Sequence, residues 1–356
     1  MPIRVLVVDD SVFMRRAIRG MLEAESDIEV VATARNGREG VELAKEHRPD
    51  VVTLDIEMPE MDGLTALRRI KREAPTQVLM CSSLTTEGSQ ASLQALRLGA
   101  ADVIAKDHST FSVHVDDMRE DLVNRVRAIG QAGQRKRVLA GQGGGGERGS
   151  LRSDSKPSLD VGRLGMICIG SSTGGPPVLE TVLPAIPAGV RAPIVVAQHM
   201  PKLFTKSLTA RLSEICPCPV VMLEDNQVLR PGVIHMAPGG IHAHLRHRGT
   251  STIYAHLDEE PKTDLYRPSV DVLFETAAQA TDRAVLGVVL TGIGQDGLRG
   301  AGKVKDRRGT IWSQSESSCV VYGMPKAVWD AKLSTAQLEP ETIAEAFRGL
   351  AAKKAA

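Results

Sequence analysis

Residues 141–158 read GQGGGGERGSLRSDSKPS, and no other stretch constrains the fold as much. Glycine, serine and charge fill it and apolar side chains nearly vanish, so it cannot join a packed core. It divides the 356 residues into two halves, each long enough to bury a core of its own. As a flexible coil its ~18 residues span about 24 Å, which lets the halves touch or separate. The tether also holds them at roughly millimolar effective concentration, so a weak interface suffices to dock them. Domains are expected at 1–128 and 161–350, with the linker over 129–160.

Both halves alternate short apolar runs with helical periodicity. In the first, Ile3–Val8 is a nearly continuous apolar run, as a parallel strand covered on both faces requires. Met14, Ala17, Ile18, Met21 and Leu22 then recur at spacings of three and four, the period of a helix. Further strands are expected at Ile28–Ala32, Val51–Leu54, Val78–Cys81 and Val103–Ala105, with Asn36 and Asp62 as helix N-caps. Five βα units in this length make a doubly wound α/β domain. In the second half, strands are expected at Leu164–Ile169, Pro193–Ala197, Val220–Leu223, Val233–Ala237 and Val285–Leu290, giving a second α/β domain with a parallel sheet.

Bulk properties remove several function classes. The net charge of +1 implies neither nucleic acid nor a membrane surface as partner. No apolar run approaches the ~18 residues of a membrane span. The longest, Ala284–Ile293, contains two glycines and a threonine. MPIRVLVVDD lacks the layout of a signal peptide, so a cytoplasmic location is expected. Five cysteines at irregular spacing do not form a disulfide framework, and Cys216-Pro-Cys218 has no second pair to complete a zinc site.

Asp9 and Asp10 close the first expected strand, Asp55 the third, Ser82 the fourth and Lys106 the fifth. The C-terminal strand ends of a parallel sheet share one edge, where sites form. Three carboxylates there repel one another unless a divalent cation sits among them, and oxygen-only ligands suit Mg²⁺. A hydroxyl and an ammonium complete a pocket for a phosphoryl group, with Asp55 as its acceptor. Singly, each acid also reads as a helix or turn cap.

VVDDS, LDIEMPEMDGL, CSSLT and IAKD stand in the order and spacing of response-regulator receivers, which residues 1–125 resemble. That resemblance implies a flavodoxin-like fold with Asp55 as the phosphorylated residue. It implies Mg²⁺ on Asp9, Asp10, Asp55 and the backbone carbonyl of Glu57, with Ser82 as switch hydroxyl and Lys106 paired to the phosphoryl group. Two positions depart from the pattern. Asp107 follows Lys106 where receivers have proline, and Val103 stands where many carry an aromatic switch.

In the second half, Gly170-Ser171-Ser172-Thr173-Gly174-Gly175 follows a strand and precedes Pro176, which suits the first turn of a helix. The pattern fits a nucleophile elbow with Ser172 as nucleophile; it fits equally an anion-binding turn. A serine nucleophile needs a base near pKa 7 and a third group to orient that base. His199 ends the next apolar strand, and Asp296 lies in the glycine-rich turn after Val285–Leu290. Both are placed at the edge that holds Ser172. His235 and His242 compete as bases, or merely cap strand ends. His244, His247 and His256 read as surface residues of a polar hairpin, while His47, His108 and His114 have no apparent chemical partner.

IGSSTGG, QHMP, TKSLTARL, APGG-x-H, PSVDVLF and TGIGQDG make residues 164–325 resemble the chemotaxis protein-glutamate methylesterases. The resemblance implies Ser172 as nucleophile, His199 as base and Asp296 as orienter. The backbone N–H of Ile293 would join the oxyanion hole, and Thr173 would help hold His199. It further implies a serine hydrolase that cleaves glutamate methyl esters and deamidates glutamine on methyl-accepting chemotaxis receptors. Its phosphodonor would be a histidine kinase, and the catalytic half would need no cofactor. The basic run Arg119, Arg125, Arg127, Arg135, Lys136 and Arg137 raises the rival of a DNA-binding output. The second half shows neither a helix-turn-helix pattern nor a basic surplus to support it.

Overall fold

The computed structural model describes residues 1–106, 115–141, 162–249 and 252–350. Residues 142–160 of the expected linker, with Asp107, His108 and His114, lie outside them. The chain divides into two compact units, Met1–Arg148 and Gly149–Ala356.

The first unit runs β1 (Ile3–Val8), α1 (Val12–Glu23), β2 (Ile28–Ala34), α2 (Gly37–His47), β3 (Val51–Asp55), α3 (Gly63–Glu73), β4 (Gln77–Ser83), α4 (Thr86–Arg97), β5 (Asp102–Lys106) and α5 (Val115–Gly141). Its five strands are parallel in the order β2-β1-β3-β4-β5, the doubly wound order of flavodoxin-like folds. Every expected strand is present. Asn36 and Asp62 cap α2 and α3, accepting from Glu39 N and Thr65 N. The apolar period expected after β1 is the inward face of α1, where Met14, Ile18, Met21 and Leu22 are buried.

Helix α5 continues beyond residue 128, where the linker was expected to start. Ile129 is fully buried, and Gly130 passes so close to Ile3 that a Cβ would lie 2.4 Å from its side chain. Gln134 Nε2 donates to Asp50 Oδ2 at 2.9 Å. Three of the six residues of the basic run are paired within this unit. Arg119 pairs with Glu25, Arg125 with Asp102 and Asp121, and Arg127 with Asp27 and Glu25.

The second unit runs β6 (Leu164–Ser171), α6 (Gly175–Val182), β7 (Ile194–Gln198), α7 (Lys202–Ile215), β8 (Val220–Met222), β9 (Ile234–Met236), β10 (His242–Arg248), β11 (Thr252–Asp258), α8 (Val270–Ala280), β12 (Ala284–Val289), α9 (Leu298–Asp306), β13 (Thr310–Gln314), α10 (Met324–Asp330), β14 (Ala336–Leu338) and α11 (Pro340–Arg348). Seven parallel strands lie in the order β14-β13-β12-β6-β7-β9-β8. The chain winds one way from β6 and the other way from β12, so the switch point falls between these two neighbours, where ligands bind in such sheets. Strands β10 and β11 form a separate antiparallel hairpin that packs on α8. It places His244 opposite His256, as the polar pattern suggested. Strands β13 and β14 are additions to the expected set. All five cysteines are free thiols.

The reach of α5 is testable on the isolated receiver half. A chain ending at residue 128 loses the burial of Ile129 and should be less stable than one ending at 141 by about 2 kcal/mol or more. Urea unfolding followed by circular dichroism measures the difference.

Candidate active site and acceptor pocket

In the first unit the side chains expected at the strand ends do converge. Lys106 Nζ lies 2.6 Å from Asp9 Oδ2 and 2.8 Å from Asp55 Oδ1. All three groups are buried, whereas Asp10 is exposed. Carboxylate oxygens of Asp9, Asp10 and Asp55 all lie within 4.8 Å of one another. Burial pushes the Asp55 carboxyl above its ordinary range, and the charge of Asp9 adds to this. The ammonium and hydrogen bond of Lys106 oppose the rise without cancelling it. One ammonium therefore leaves the cluster short of positive charge. An oxygen-only set of this kind fits a hard divalent cation such as Mg²⁺. Ser82 is fully buried and its hydroxyl donates to the Gly88 carbonyl at 3.1 Å. Val103 is buried in β5 opposite Met80, so an aliphatic side chain fills the switch position.

In the second unit β6 delivers Ser172 to the switch point, with Ser172 N donating to Thr291 O just beyond β12. The turn into α6 requires its glycines. Gly174 has φ +78°, and a Cβ there would lie 2.5 Å from Val320. A Cβ on Gly175 would meet Gln198 Oε1 at 2.2 Å. Gln198, at the end of β7, clamps this turn. It accepts from Ser171 Oγ at 2.6 Å and donates to Ser172 O at 3.0 Å. His199 follows directly, and its N–H donates to Ser171 O. The turn after β12 runs close to the serine, since a Cβ on Gly292 would lie 2.8 Å from Ser172 Cβ. Ile293, next in that turn, is half-buried, and among the described residues its N–H donates to no protein acceptor. Thr173 is buried, and its carbonyl accepts from Thr291 Oγ1 at 2.9 Å.

His199 and Asp296 meet: Nε2 lies 2.8 Å from Asp296 Oδ2. Because a carboxylate accepts, this contact places a proton on Nε2. Nδ1, buried with no hydrogen-bond partner, is then the basic nitrogen. Among the described residues no hydrogen bond joins the Ser172 hydroxyl to this ring, a contact that commonly tightens only when substrate binds. The other two candidate bases are committed elsewhere. His235 donates from Nδ1 to Ile194 O and accepts from Arg230 N on Nε2. His242 accepts from Ser269 N on Nδ1 and meets Pro261 O through Nε2. Burial holds both imidazoles below the usual histidine range, so they are neutral structural acceptors and donors.

Asp296 is held by the start of α8. Ser269 Oγ and Asp271 N donate to Oδ1 at 3.0 and 2.8 Å, and Val270 N donates to Oδ2 at 2.7 Å. Helix N-termini favour anions through such free amides and their dipole. Burial alone would raise this carboxyl; the hydrogen bond and charge of His199, with the amides of Val270 and Asp271, outweigh it and hold it below the ordinary range. These supports had no role assigned from sequence, although Ser269 carries an N-cap signal ahead of an apolar helix. Tyr266 was missed altogether. Its ring stacks on His199 with centroids 4.4 Å apart.

Comparison with known proteins identifies both halves of the chain. The CheB methylesterase family model matches residues 167–347, and the response regulator receiver domain matches residues 5–114. The protein-glutamate methylesterase/protein-glutamine glutaminase 1 of Oleidesulfovibrio alaskensis is 45% identical over 97% of this chain and 98% of its own. This chain belongs to the CheB methylesterase family. A CheB relative from Archaeoglobus fulgidus, a protein-glutamate methylesterase/protein-glutamine glutaminase, is 43% identical over 91% of each chain. The crystal structure of the Thermotoga maritima CheB methylesterase catalytic domain matches with a TM-score of 0.50 at 39% identity, covering 52% of this chain and 98% of that one. As a CheB-family protein the chain is a hydrolase joined to a receiver. Among the described residues no helix is long and apolar enough to cross a membrane.

Asp271 supplies a test of the site's electrostatics. It accepts from Gly300 N at 2.7 Å at the start of α9. Burial, with the nearby charge of Asp296, pushes its carboxyl up to about 6 despite the Gly300 amide and Arg299. A carboxyl raised in the folded state binds its proton more tightly there than in the unfolded chain. Its contribution therefore costs stability as pH rises from about 4 to 6. Asp271→Asn keeps an acceptor for Gly300 and removes that titration. Its stability relative to the parent should rise by on the order of 2–3 kcal/mol between pH 4 and pH 7. Chemical unfolding followed by the fluorescence of Trp312 and Trp329, the two tryptophans of the chain, reads this unit alone.

Proposed function

We propose that this protein hydrolyses glutamate methyl esters, and deamidates glutamine, on methyl-accepting chemotaxis receptors, using Ser172, His199 and Asp296, and that phosphorylation of Asp55 activates it. One observation carries the catalytic half of this reading. At the switch point of the second sheet, His199 gives Nε2 to a helix-anchored carboxylate and keeps a buried, unpartnered Nδ1 beside the turn that carries Ser172.

The Ser172 hydroxyl attacks the ester carbonyl and passes its proton to His199 Nδ1. Asp296 keeps the other ring nitrogen protonated and stabilises the imidazolium. The N–H of Ile293 donates to the developing oxyanion, and a donor pre-aimed at such a charge contributes a large share of rate enhancement. His199 returns the proton to the leaving methoxide, and methanol departs. A water, deprotonated by His199, then releases glutamate from the acyl-serine. With glutamine as substrate the same sequence releases ammonia. No step calls for a cofactor in this half.

In the receiver, Asp55 accepts the phosphoryl group from a chemotaxis histidine kinase. Mg²⁺ on Asp9, Asp10, Asp55 and the Glu57 carbonyl would neutralise charge during that transfer. Lys106 pairs with the new phosphoryl group, and the Ser82 hydroxyl exchanges its Gly88 carbonyl for a phosphoryl oxygen. The added charge of about −1.5 to −2 is the signal that raises the hydrolase activity. These reactions take place in the cytoplasm, without nucleic acid or membrane insertion.

Methanol release from methylated receptor membranes tests the reading. Ser172→Ala should abolish it, and Asp296→Asn should lower kcat on the order of 10⁴-fold. Asp55→Ala should leave basal release intact and remove the increase produced by a phosphodonor. Full activity in purified Ser172→Ala would defeat the serine mechanism.

A further inference from the structure

Tyr266 takes no part in the chemistry just described, yet its ring covers one face of the base. The Tyr266 and His199 planes lie 15° from parallel with centroids 4.4 Å apart. A single hydrogen bond at Nε2 fixes one edge of an imidazole and leaves the ring free to rock, because the terminal torsion of histidine is broad. A flat neighbour removes that freedom. Nδ1 then stays on the side of the ring away from Asp296, where the serine hydroxyl must find it.

The segment that carries Tyr266 is itself clamped. It joins β11 to α8, and the buried His242 grips it twice, at Pro261 O through Nε2 and at Ser269 N through Nδ1. Gly240 N donates to Arg267 O at 3.0 Å, and Arg299 pairs with Asp264 at 3.0 Å. Tyr266 sits within this strap, half-buried, between the grip on Pro261 and the cap residue Ser269. The same Ser269 holds Asp296. One strap therefore sets both the acid and the ring that stacks on the base.

We propose that Tyr266 is a positioning residue: its ring holds the His199 imidazole in the plane that directs Nδ1 to the serine and favours the imidazolium formed during reaction. The proposal rests on His199 being the general base. The face of a phenol ring attracts a cation more than a neutral group, so the stack strengthens as His199 takes the proton. An interaction stronger in the transition state than in the ground state raises kcat rather than lowering KM. The aromatic face carries this effect.

The test uses the full-length protein with a phosphodonor and compares Tyr266→Phe with Tyr266→Leu. The Phe variant should keep kcat within about twofold, whereas Leu should lose roughly three- to tenfold in kcat, the worth of one aromatic stack, with KM unchanged. A Leu variant with parental kcat, or a loss that falls on KM, would overturn the proposal. Tyr266→Met repeats the comparison if Leu does not fold. Imidazole ¹⁵N NMR reads the ring without turnover. His199 should carry its proton on Nε2 in the parent and in Phe, and move toward averaged tautomers in Leu. An unchanged spectrum in Leu also overturns the proposal. Should the parent itself release no methanol, the esterase reading fails, and the NMR comparison alone decides the positioning role.

Discussion

The carboxylate of Asp296 is the point on which the second unit turns. It is nearly buried, its side chain 12% exposed, and an ionised acid in that setting costs several kcal/mol unless its lone pairs are met. Here they are met by one imidazole, one hydroxyl and two helix amides. Those donors come from the end of β7 and the start of α8, while the acid comes from the turn after β12. A single charge thus pins three elements that are far apart in sequence. Satisfying the acid and assembling the site are one event.

The two units solve the same problem with different means. Each is a parallel sheet whose winding reverses between adjacent strands, β1 and β3 in one, β6 and β12 in the other. Both gather charged groups at that reversal. In the receiver the negative charge exceeds what Lys106 offsets, and the pocket is suited to a cation and then to a phosphoryl group. In the hydrolase unit the charge of Asp296 is absorbed by a helix N-terminus and a histidine. The remaining ring nitrogen of His199 is buried without a hydrogen-bond partner.

Much of this was legible because strand ends are legible. Continuous apolar runs marked the central strands, and whatever followed each run was placed at the shared edge; that is how Asp9, Asp55, Lys106, Ser172, His199 and Asp296 were located at the strand ends. What could not be read has physical reasons. Strands β13 and β14 are short, and their apolar content is too low to stand out from loops. The last turns of α5 looked solvated because their buried face is Ile129, Gly130 and Gly133, two of them without side chains to register in an apolar period. Tyr266 lies in a polar segment with no period at all, and its meaning comes only from what the strap places it against. His235 and His242 competed with His199 on sequence because position cannot reveal a second hydrogen bond. Each has both ring nitrogens engaged, and that excludes them.

Close packing explains why the serine turn is so rich in glycine. A Cβ on Gly170 would lie 2.2 Å from Val270, and one on Gly292 would lie 2.8 Å from Ser172 Cβ. The first contact brings β6 against the start of α8, the helix that holds the acid. The second brings the turn after β12 against Ser172. Any side chain at either place would push Ser172 away from His199 and Asp296. A displacement of about 1 Å is enough to cost orders of magnitude in rate for a reaction that depends on alignment. The glycines therefore set the distance between Ser172, His199 and Asp296 as directly as the hydrogen bonds do, and the strand-to-helix turn is their common instrument.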